Sequence, residues 1–220
     1  MLAKTKIAFN AYLDGDSDIY IINPDGTGLV NVTDDQFNNF LPAWSPDGRK
    51  IAYACRQDDD IYLINADGSS KRNLTNSPQY ESCPDWSPDG MQIAFHSDRN
   101  SDWEFNVHRG TNLEIFVMNT DGANLINLTN HPAGDGSPAW SPDGRQIAFS
   151  SNRDRKDADD ENVEIYVMNA DGTNPINITN HPKRDSQPSW GSVRSFGVSS
   201  NGRLVTLWGK VKRSHTYGVR

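Results

Sequence analysis

The sequence predicts an all-β fold: a β-propeller of four-stranded antiparallel blades, with four clear repeat units and a degenerate fifth. The first observation is a ten-residue phrase, WSPDGRQIAF at 140–149, which recurs as WSPDGRKIAY at 44–53 and WSPDGMQIAF at 86–95. The second is the spacing, since nineteen residues separate the Asp of each DG turn from the next Trp of the repeat. One active site needs its signature once, so a phrase that recurs at a fixed interval of about 42 residues indicates a structural repeat.

Each repeat reads as four short strands. In the unit around Trp140, the segments PAW, RQIAFSS, IYVMN and NPINIT alternate in polarity, are rich in β-branched and aromatic residues, and show no period of 3.6 residues. Turn residues separate them. In SPDG, proline pre-sets φ, serine and aspartate bond nearby amides, and glycine adopts the left-handed conformation. The DG turn before the last strand follows a similar logic. Four antiparallel strands repeated at this period are typical of propeller blades.

Length varies in only one connection of the unit. The motif Trp lies at Trp44, Trp86, Trp140 and, in a worn copy, Trp190. Between the IAF-type segment and the following I-[YF] pair, the spacing ranges from 10 to 22 residues. Inserted length in repeat proteins is typical of binding loops, and here it all falls on the face opposite the SPDG turns.

The motif resembles a known family. The pattern P-x-W-S-P-D-G-x-x-I-A-F-x-S-x-R, followed by I-Y-x-x-N-x-D-G and N-L-T, is similar to the Pro-Asp variant of the WD40-like repeat in TolB-like propellers, over roughly residues 5–190. The resemblance implies a propeller fold. It also implies a role as a binding scaffold and a periplasmic location, as for TolB, although related propellers gate or shape the entrance of serine peptidases.

The ends of the chain leave the number of blades open. We expect propeller repeats over 1–190 and a basic tail over 191–220, a degenerate final repeat of the same domain. In one interpretation 187–210 is a decayed fifth unit. In another, Gln187–Trp190 pairs with the N-terminal unit and closes four blades. In a third the ring is incomplete, which would allow self-association.

Composition excludes several function classes. The chain has 220 residues, of which 29 are acidic and 21 basic, and a net charge of −8. An acidic body without a basic stripe argues against nucleic acid as the main partner. No segment approaches the roughly 18 apolar residues of a membrane span. The N-terminal MLAKTKIAFN lacks the apolar segment of a secretory signal, so the sequence leaves the compartment open.

The longest insert contains the strongest candidates for a partner contact. Residues 98–112 bring together Trp103, Phe105, His108 and Arg109. Aromatic and arginine side chains among polar residues are typical of protein or peptide interfaces. The alternative is that Trp103 packs the loop onto its own blade.

A second set of candidates lies five residues before each motif Trp: Asn39, Glu81, Asp135 and Asp185. Repeat symmetry predicts that they lie near the channel mouth on the loop-rich face. There the carboxylates could bind a cation or a basic peptide, or they could cap turns.

Metal and disulfide predictions are weaker. Asp14, Asp16 and Asp18 alternate as in a calcium loop, and residues 157–161 form another acidic cluster, but the loop's Gly and distal Glu are absent. We therefore expect no cofactor, with calcium as the one alternative. Cys55 and Cys83 point toward the same face, where a disulfide is conceivable and free thiols are at least as consistent.

No catalytic signature is present. The sequence contains no G-x-S-x-G, H-E-x-x-H, phosphate-binding glycine loop or C-x-x-C pair. The N-x-[ST] sequons occupy the same place in every unit, so they arise from the repeat. We therefore expect a non-catalytic scaffold that binds a protein or peptide. The alternatives are a propeller module of a larger peptidase or hydrolase, and a sugar-acting enzyme with carboxylates in the channel.

Overall fold

The computed structural model of the chain describes residues 5–13, 15–100, 112–156, 162–180 and 183–191. Within these ranges, fifteen strands form four antiparallel sheets. The predicted all-β fold is therefore confirmed. No helix in this part of the chain is long and apolar enough to cross a membrane.

The four sheets are the predicted blades, and neighbouring strands in each sheet follow chain order. Blade 1 contains β1 (Ile7–Tyr12), β2 (Ser17–Ile22) and β3 (Val30–Asn31). Blade 2 contains β4 (Asn39–Trp44), β5 (Lys50–Cys55), β6 (Asp60–Asn65) and β7 (Arg72–Asn73). Blade 3 contains β8 (Glu81–Trp86), β9 (Gln92–Ser97), β10 (Glu114–Asn119) and β11 (Ile126–Asn127). Blade 4 contains β12 (Asp135–Trp140), β13 (Gln146–Ser151), β14 (Glu164–Asn169) and β15 (Ile176–Asn177).

The hydrophobic core is divided among the interfaces between blades. Strand β4 contacts blade 1, β8 contacts blade 2 and β12 contacts blade 3, so the first strand of each blade packs against the preceding sheet. Three apolar clusters fill these interfaces, and the first isoleucine of the IAF-type segment is fully buried in each: Ile51, Ile93 and Ile147. Thin sheets that share such interfaces explain how a chain with only 35% hydrophobic residues forms a core.

The repeated turn residues form the bonds that the sequence predicts. In the turn of blade 2, the Ser45 hydroxyl donates to Asp47 Oδ1 at 2.7 Å and accepts the Lys50 amide at 2.9 Å. Ser87 and Ser141 repeat both bonds in blades 3 and 4. The glycine that follows the Asp has a positive φ of 67° to 73° in all three turns.

The N-x-T motif is also structural. Its threonine hydroxyl accepts the amide of the isoleucine of the I-[YF] pair, at 3.0 Å in every blade. Its asparagine side chain donates to a nearby carboxylate, for example from Asn31 to Asp18 at 2.7 Å and from Asn73 to Asp60 at 2.6 Å. The sequon-like pattern therefore fastens the outer strand to its blade.

The described strands of the first and last blades do not meet. Among the described strands, β1 pairs only with β2, and no strand of blade 1 contacts blade 4. Pairing of Gln187–Trp190 with β1 is therefore not observed. Instead, Trp190 Nε1 donates to the Ala139 carbonyl at 3.0 Å, as Trp86 Nε1 does to Ala43 at 3.1 Å. This segment lies where the first strand of a further blade would lie.

One compact unit extends to Trp190. Of the tail predicted over 191–220, only Gly191 is described. The assignment of that tail, the number of blades and self-association stay predictions.

Candidate functional site

The blades have two different faces. The SPDG and DG turns share one face, because the Ala66 amide donates to the Arg49 carbonyl and the Ala170 amide to the Arg145 carbonyl, at 2.8 and 2.9 Å. We call it the turn face. The opposite face contains the connections of variable length that follow β5, β9 and β13, and we call it the loop-rich face.

Two of the predicted carboxylates start the first strands of their blades and form buried ion pairs. Glu81 and Asp135 lie at the loop-rich ends of β8 and β12, and their side chains have no exposed surface. Arg99 pairs with Glu81. Arg153 Nη2 donates to both oxygens of Asp135, at 3.0 and 2.9 Å. Their charges are neutralised inside the protein, where an unpaired carboxylate would be costly.

Each arginine also stacks on an aromatic pair. The Arg153 guanidinium carbon lies 4.6 Å from the Tyr166 ring centroid and 5.2 Å from that of Phe149. Arg99 lies in the same way over the rings of Phe116 and Phe95, at 5.2 and 5.7 Å. Acid, arginine and aromatic pair together connect the start of the first strand with the second and third strands of the same blade.

The other two members of the predicted set differ. Asn39 replaces the acid in blade 2, and its amide donates to Asp35 at 3.0 Å. Asp185 is half-buried, and its backbone amide donates to the Val163 carbonyl at 2.7 Å. A cation- or peptide-binding role for Glu81, Asp135 and Asp185 stays a prediction.

A central cavity of about 470 Å³ lies where the first strands come together. Each contributes a proline to the lining: Pro42, Pro84, Pro138 and Pro188. Asp85 is the one acidic residue among the lining residues, at a position where the other blades have Ala43, Ala139 and Ser189. Its Oδ2 accepts the Trp140 amide at 2.6 Å, and burial raises the pKa of its carboxyl. Asp85 was not among the predicted site residues, although the change from PAW to PDW is visible in the sequence.

The residue before each of these prolines lies in the left-handed region of φ. The angles are 53° at Leu41, 53° at Cys83, 52° at Ser137 and 58° at Gln187. In blades 2 to 4 this residue lies in a β-bulge of the first strand. Residues other than glycine or asparagine rarely adopt this conformation. Its recurrence shows that the bulge shapes the wall of the cavity.

Both cysteines are free thiols. Cys55 is buried in the interface between blades 1 and 2, and Cys83 Sγ lies 3.9 Å from Ser137 Oγ in the lining of the central cavity. Burial raises the pKa of both thiols, so neither has the thiolate character of a reactive cysteine.

Two smaller cavities open at the loop-rich face. One, of about 340 Å³, lies between blades 2 and 3 and includes Arg56, Tyr80 and Glu81 in its lining. The other, of about 280 Å³, lies between blades 3 and 4 and is lined by His96, Arg155 and Arg184, among others.

Several predicted residues lie outside the described part of the chain. These are the insert residues Trp103, Phe105, His108 and Arg109, together with Asp14 and the acidic cluster at 157–161. Asp18 is described, and its carboxylate accepts bonds from Asn31 and Thr33. Within the described ranges, no group of three or more His, Cys, Asp or Glu residues could hold a metal ion.

Comparison with known proteins agrees with the repeat architecture. The family model described as the TolB beta propeller domain matches residues 3–103. No curated protein sequence matches the chain. Together with the four blades, these findings confirm the predicted resemblance to TolB-like propellers.

Solved structures give the same result. A structure assigned as TolB from Agrobacterium tumefaciens is 28% identical, with a TM-score of 0.66 over 78% of this chain and 60% of that one. TolB from Acinetobacter baumannii is 21% identical, with a TM-score of 0.69 over 90% of this chain and 45% of that one. The tricorn protease is 15% identical, with a TM-score of 0.56 over 75% of this chain and 17% of that one. The chain thus spans less than two thirds of the length of each of these structures.

Proposed function

We propose that this chain is a non-catalytic scaffold that binds a protein or peptide at its loop-rich face. The observation that carries the proposal is the difference between the two faces. The turn face repeats the same residues and bonds in blade after blade, whereas cavities of different composition open between blades at the loop-rich face. Binding residues of repeat proteins vary while the scaffold stays constant.

The longest insert also supports binding at the loop-rich face. It begins after β9, so Trp103, Phe105, His108 and Arg109 belong to the connection between β9 and β10, whose described ends lie at the loop-rich face. Buried tryptophan, tyrosine and arginine anchors contribute most of the binding energy at protein interfaces. Similarity to TolB structures is consistent with a scaffold, and the ion-paired carboxylates do not favour acid–base catalysis.

Selection from a phage-displayed peptide library tests the proposal without knowledge of the natural partner. Peptides selected on the purified chain are measured against Trp103→Ala and against Met91→Ala. Met91 is a matched apolar control, since its side chain is 66% exposed on the turn face. We expect Trp103→Ala to weaken binding at least tenfold and Met91→Ala to leave it unchanged. Peptides that depend on Met91 and not on Trp103, or no selected peptides at all, would contradict the proposal.

A second function is favoured by the structural similarity to the tricorn protease, of which this chain covers a small share. In this alternative the propeller is a module of a larger hydrolase and filters its substrates. A reading frame that continues into a hydrolase domain would favour the module. The sugar-acting alternative has support of the same kind, since the structure of an oligogalacturonate lyase from Vibrio parahaemolyticus is 18% identical, with a TM-score of 0.59 over 80% of this chain and 49% of that one. Asp135 is a poor candidate for its catalytic carboxylate, because both of its oxygens already accept bonds from Arg153.

A further inference from the structure

The central cavity contains a charged side chain that departs from the repeat. Asp85 lines it at a position where the corresponding residues are Ala43, Ala139 and Ser189. Among the lining residues that the structure describes, there is no Lys, Arg or His. The Asp85 side chain is half-buried, whereas the carboxylate of Asp135 is fully buried and paired with an arginine. Asp85 is therefore accessible from the cavity, and no basic residue of the described lining neutralises it.

The blades fold without a carboxylate at this position. Asp85 Oδ2 accepts the Trp140 amide at 2.6 Å. The equivalent pair between blades 2 and 3 is Ala43 and Trp86, where the side chain of Ala43 offers no acceptor. Burial raises the pKa of the Asp85 carboxyl, and the backbone amides of Trp140 and Trp86 offset only part of that effect. A carboxylate that the repeat does not require, kept where burial disfavours its charge, indicates a role other than folding.

The rest of the lining suits the alkyl chain and the charged group of an amine. The half-buried Trp44 contributes to it, and an indole ring attracts a cation placed over its face. The hydroxyls of Ser137 and Ser189 can accept hydrogen bonds. With about 470 Å³, the cavity has the size of a small-molecule site. Prolines have no amide N–H, so four lining residues present apolar surface and no donor: Pro42, Pro84, Pro138 and Pro188.

The chemistry favours an ammonium group over other cations. Calcium takes roughly six to eight oxygen ligands, usually with several carboxylates. Asp85 is the one acidic residue of the described lining, and no group of three or more His, Cys, Asp or Glu residues in the described ranges could hold a metal ion. A guanidinium pairs best with both oxygens of a carboxylate, and Asp85 Oδ2 already accepts the Trp140 amide. A compact ammonium can donate to the other oxygen alone.

We propose that the central cavity binds a primary ammonium group through Asp85, with the attached alkyl chain against the prolines and Trp44. The inference goes beyond the proposed function, because the cavity is lined by the first strands and not by the connections of variable length. The same chemistry has two sources, a free alkylamine and the lysine side chain of a protein.

Butylammonium chloride is the probe for the site. The full chain is titrated at pH 7 and constant ionic strength, and binding is followed by saturation-transfer NMR on the ligand's methyl protons. We expect saturable binding, with a dissociation constant raised at least about tenfold in Asp85→Asn because the charge-assisted bond is lost. Asparagine keeps an acceptor for the Trp140 amide, so this variant should fold. If it does not, Asp85→Ala takes its place, since alanine is the residue of blades 2 and 4.

Asp34→Asn is the matched control, because Asp34 is an exposed aspartate outside the cavity lining and the same charge is removed. Its affinity for butylammonium should equal that of the unchanged chain. Non-saturable binding, or equal affinities in Asp85→Asn and the control, would overturn the site. Equal affinity for 1-butanol would overturn recognition of the charge, and displacement of butylammonium by calcium at equal ionic strength would overturn its assignment to an ammonium group.

Two competitors then identify the source of the ammonium group. One is putrescine, and the other is an acetylated peptide that contains a single lysine. Displacement of butylammonium by either one supports the inference and names the source, whereas displacement by neither would overturn it. If library peptides bind at the loop-rich face while butylammonium does not bind, the inference fails and the proposed function stands.

Discussion

The turn face and the loop-rich face are made from the same repeat, yet they differ in how faithfully the repeat is kept. On the turn face, Ser45, Ser87 and Ser141 make the same two bonds in three successive turns. On the loop-rich face, His96 stands where another blade has Ala54. Residues that recur in every blade are therefore explained by the folding of the blade, whereas residues that depart from the repeat need another explanation. Each departure can be compared with the corresponding position of the other blades.

Loss of a buried ion pair on the loop-rich face should have the largest effect on stability. Arg153→Met leaves the Asp135 carboxylate buried without its partner, and we expect the free energy of unfolding to fall by about 3–5 kcal/mol. Arg145→Met removes an exposed arginine on the turn face and should change it by less than about 0.5 kcal/mol. Urea denaturation measures both. Equal losses of stability in the two variants would contradict a stabilising role of the Arg153–Asp135 ion pair.

The two faces should also lose stability in different pH ranges. The pKa of His96 is lowered from 6.5 to about 4, so below pH 6.5 the unfolded chain takes up a proton that the native state does not. Stability should fall as the pH decreases from 6.5 to 4, by about 3 kcal/mol from this group. We expect the loss to be absent in His96→Asn, as measured by denaturation at pH 7, 5.5 and 4.

On the turn face, the aspartates of the turns titrate lower. Serine or threonine hydroxyls lower the pKa of their carboxyls: Asp25, Asp47, Asp67, Asp89, Asp143 and Asp171. Their contribution is present above pH 4 and is lost as the pH falls through the lowered values. Asp143→Asn should therefore reduce the pH dependence only below pH 4. A change between pH 4 and 6.5 in this variant would contradict the assignment.

A smaller effect tests contact between blades at the turn face. Gly172 has φ +84°, and an added Cβ would lie 2.5 Å from the Leu128 carbonyl oxygen of the preceding blade. Gly26 has nearly the same φ, +83°, with nothing within 4 Å. Gly26→Ala measures backbone strain alone, about 1 kcal/mol, and Gly172→Ala should cost about 2 kcal/mol more. Equal thermal stabilities of the two variants would contradict the described packing.

The smallest effect compares two tryptophans of the repeat. Trp86 Nε1 donates to Ala43, whereas Trp44 Nε1 is buried without a partner among the described residues. Trp86→Phe should therefore destabilise the protein by about 1 kcal/mol more than Trp44→Phe in urea. A greater cost at Trp44 would indicate that its indole has found a partner.

The sequence predicted the blade well because the relevant forces are local and repeated. Turn chemistry at Ser45–Gly48 and the apolar run of β5 depend on neighbours a few residues apart, and the turn motif recurs three times along the chain. Sequence alternation did not predict that β5 is buried on both faces. The position of Glu81 was predicted from symmetry, but its pairing with Arg99 was not, since spacing along a chain does not show which side chains meet in the core.

The features that were missed depend on contacts between blades. Asp85 bonds to Trp140 of the next blade, and the cavity lined by His96 is also lined by Gly134 and Gly136, more than thirty residues later in the chain. A departure from the repeat was visible at each position. The sequence alone did not show which residues of the neighbouring blade these side chains contact. Ring closure depends on contacts among all the blades.

Hydrogen exchange of the chain with a selected peptide bound tests the central claim most directly. The account predicts slower amide exchange at the loop-rich face, in residues 98–113 and 134–137, and unchanged exchange in the turns at 45–48, 87–90 and 141–144. Protection confined to those turns would contradict it, because the face that the repeat keeps constant would then be the face that binds.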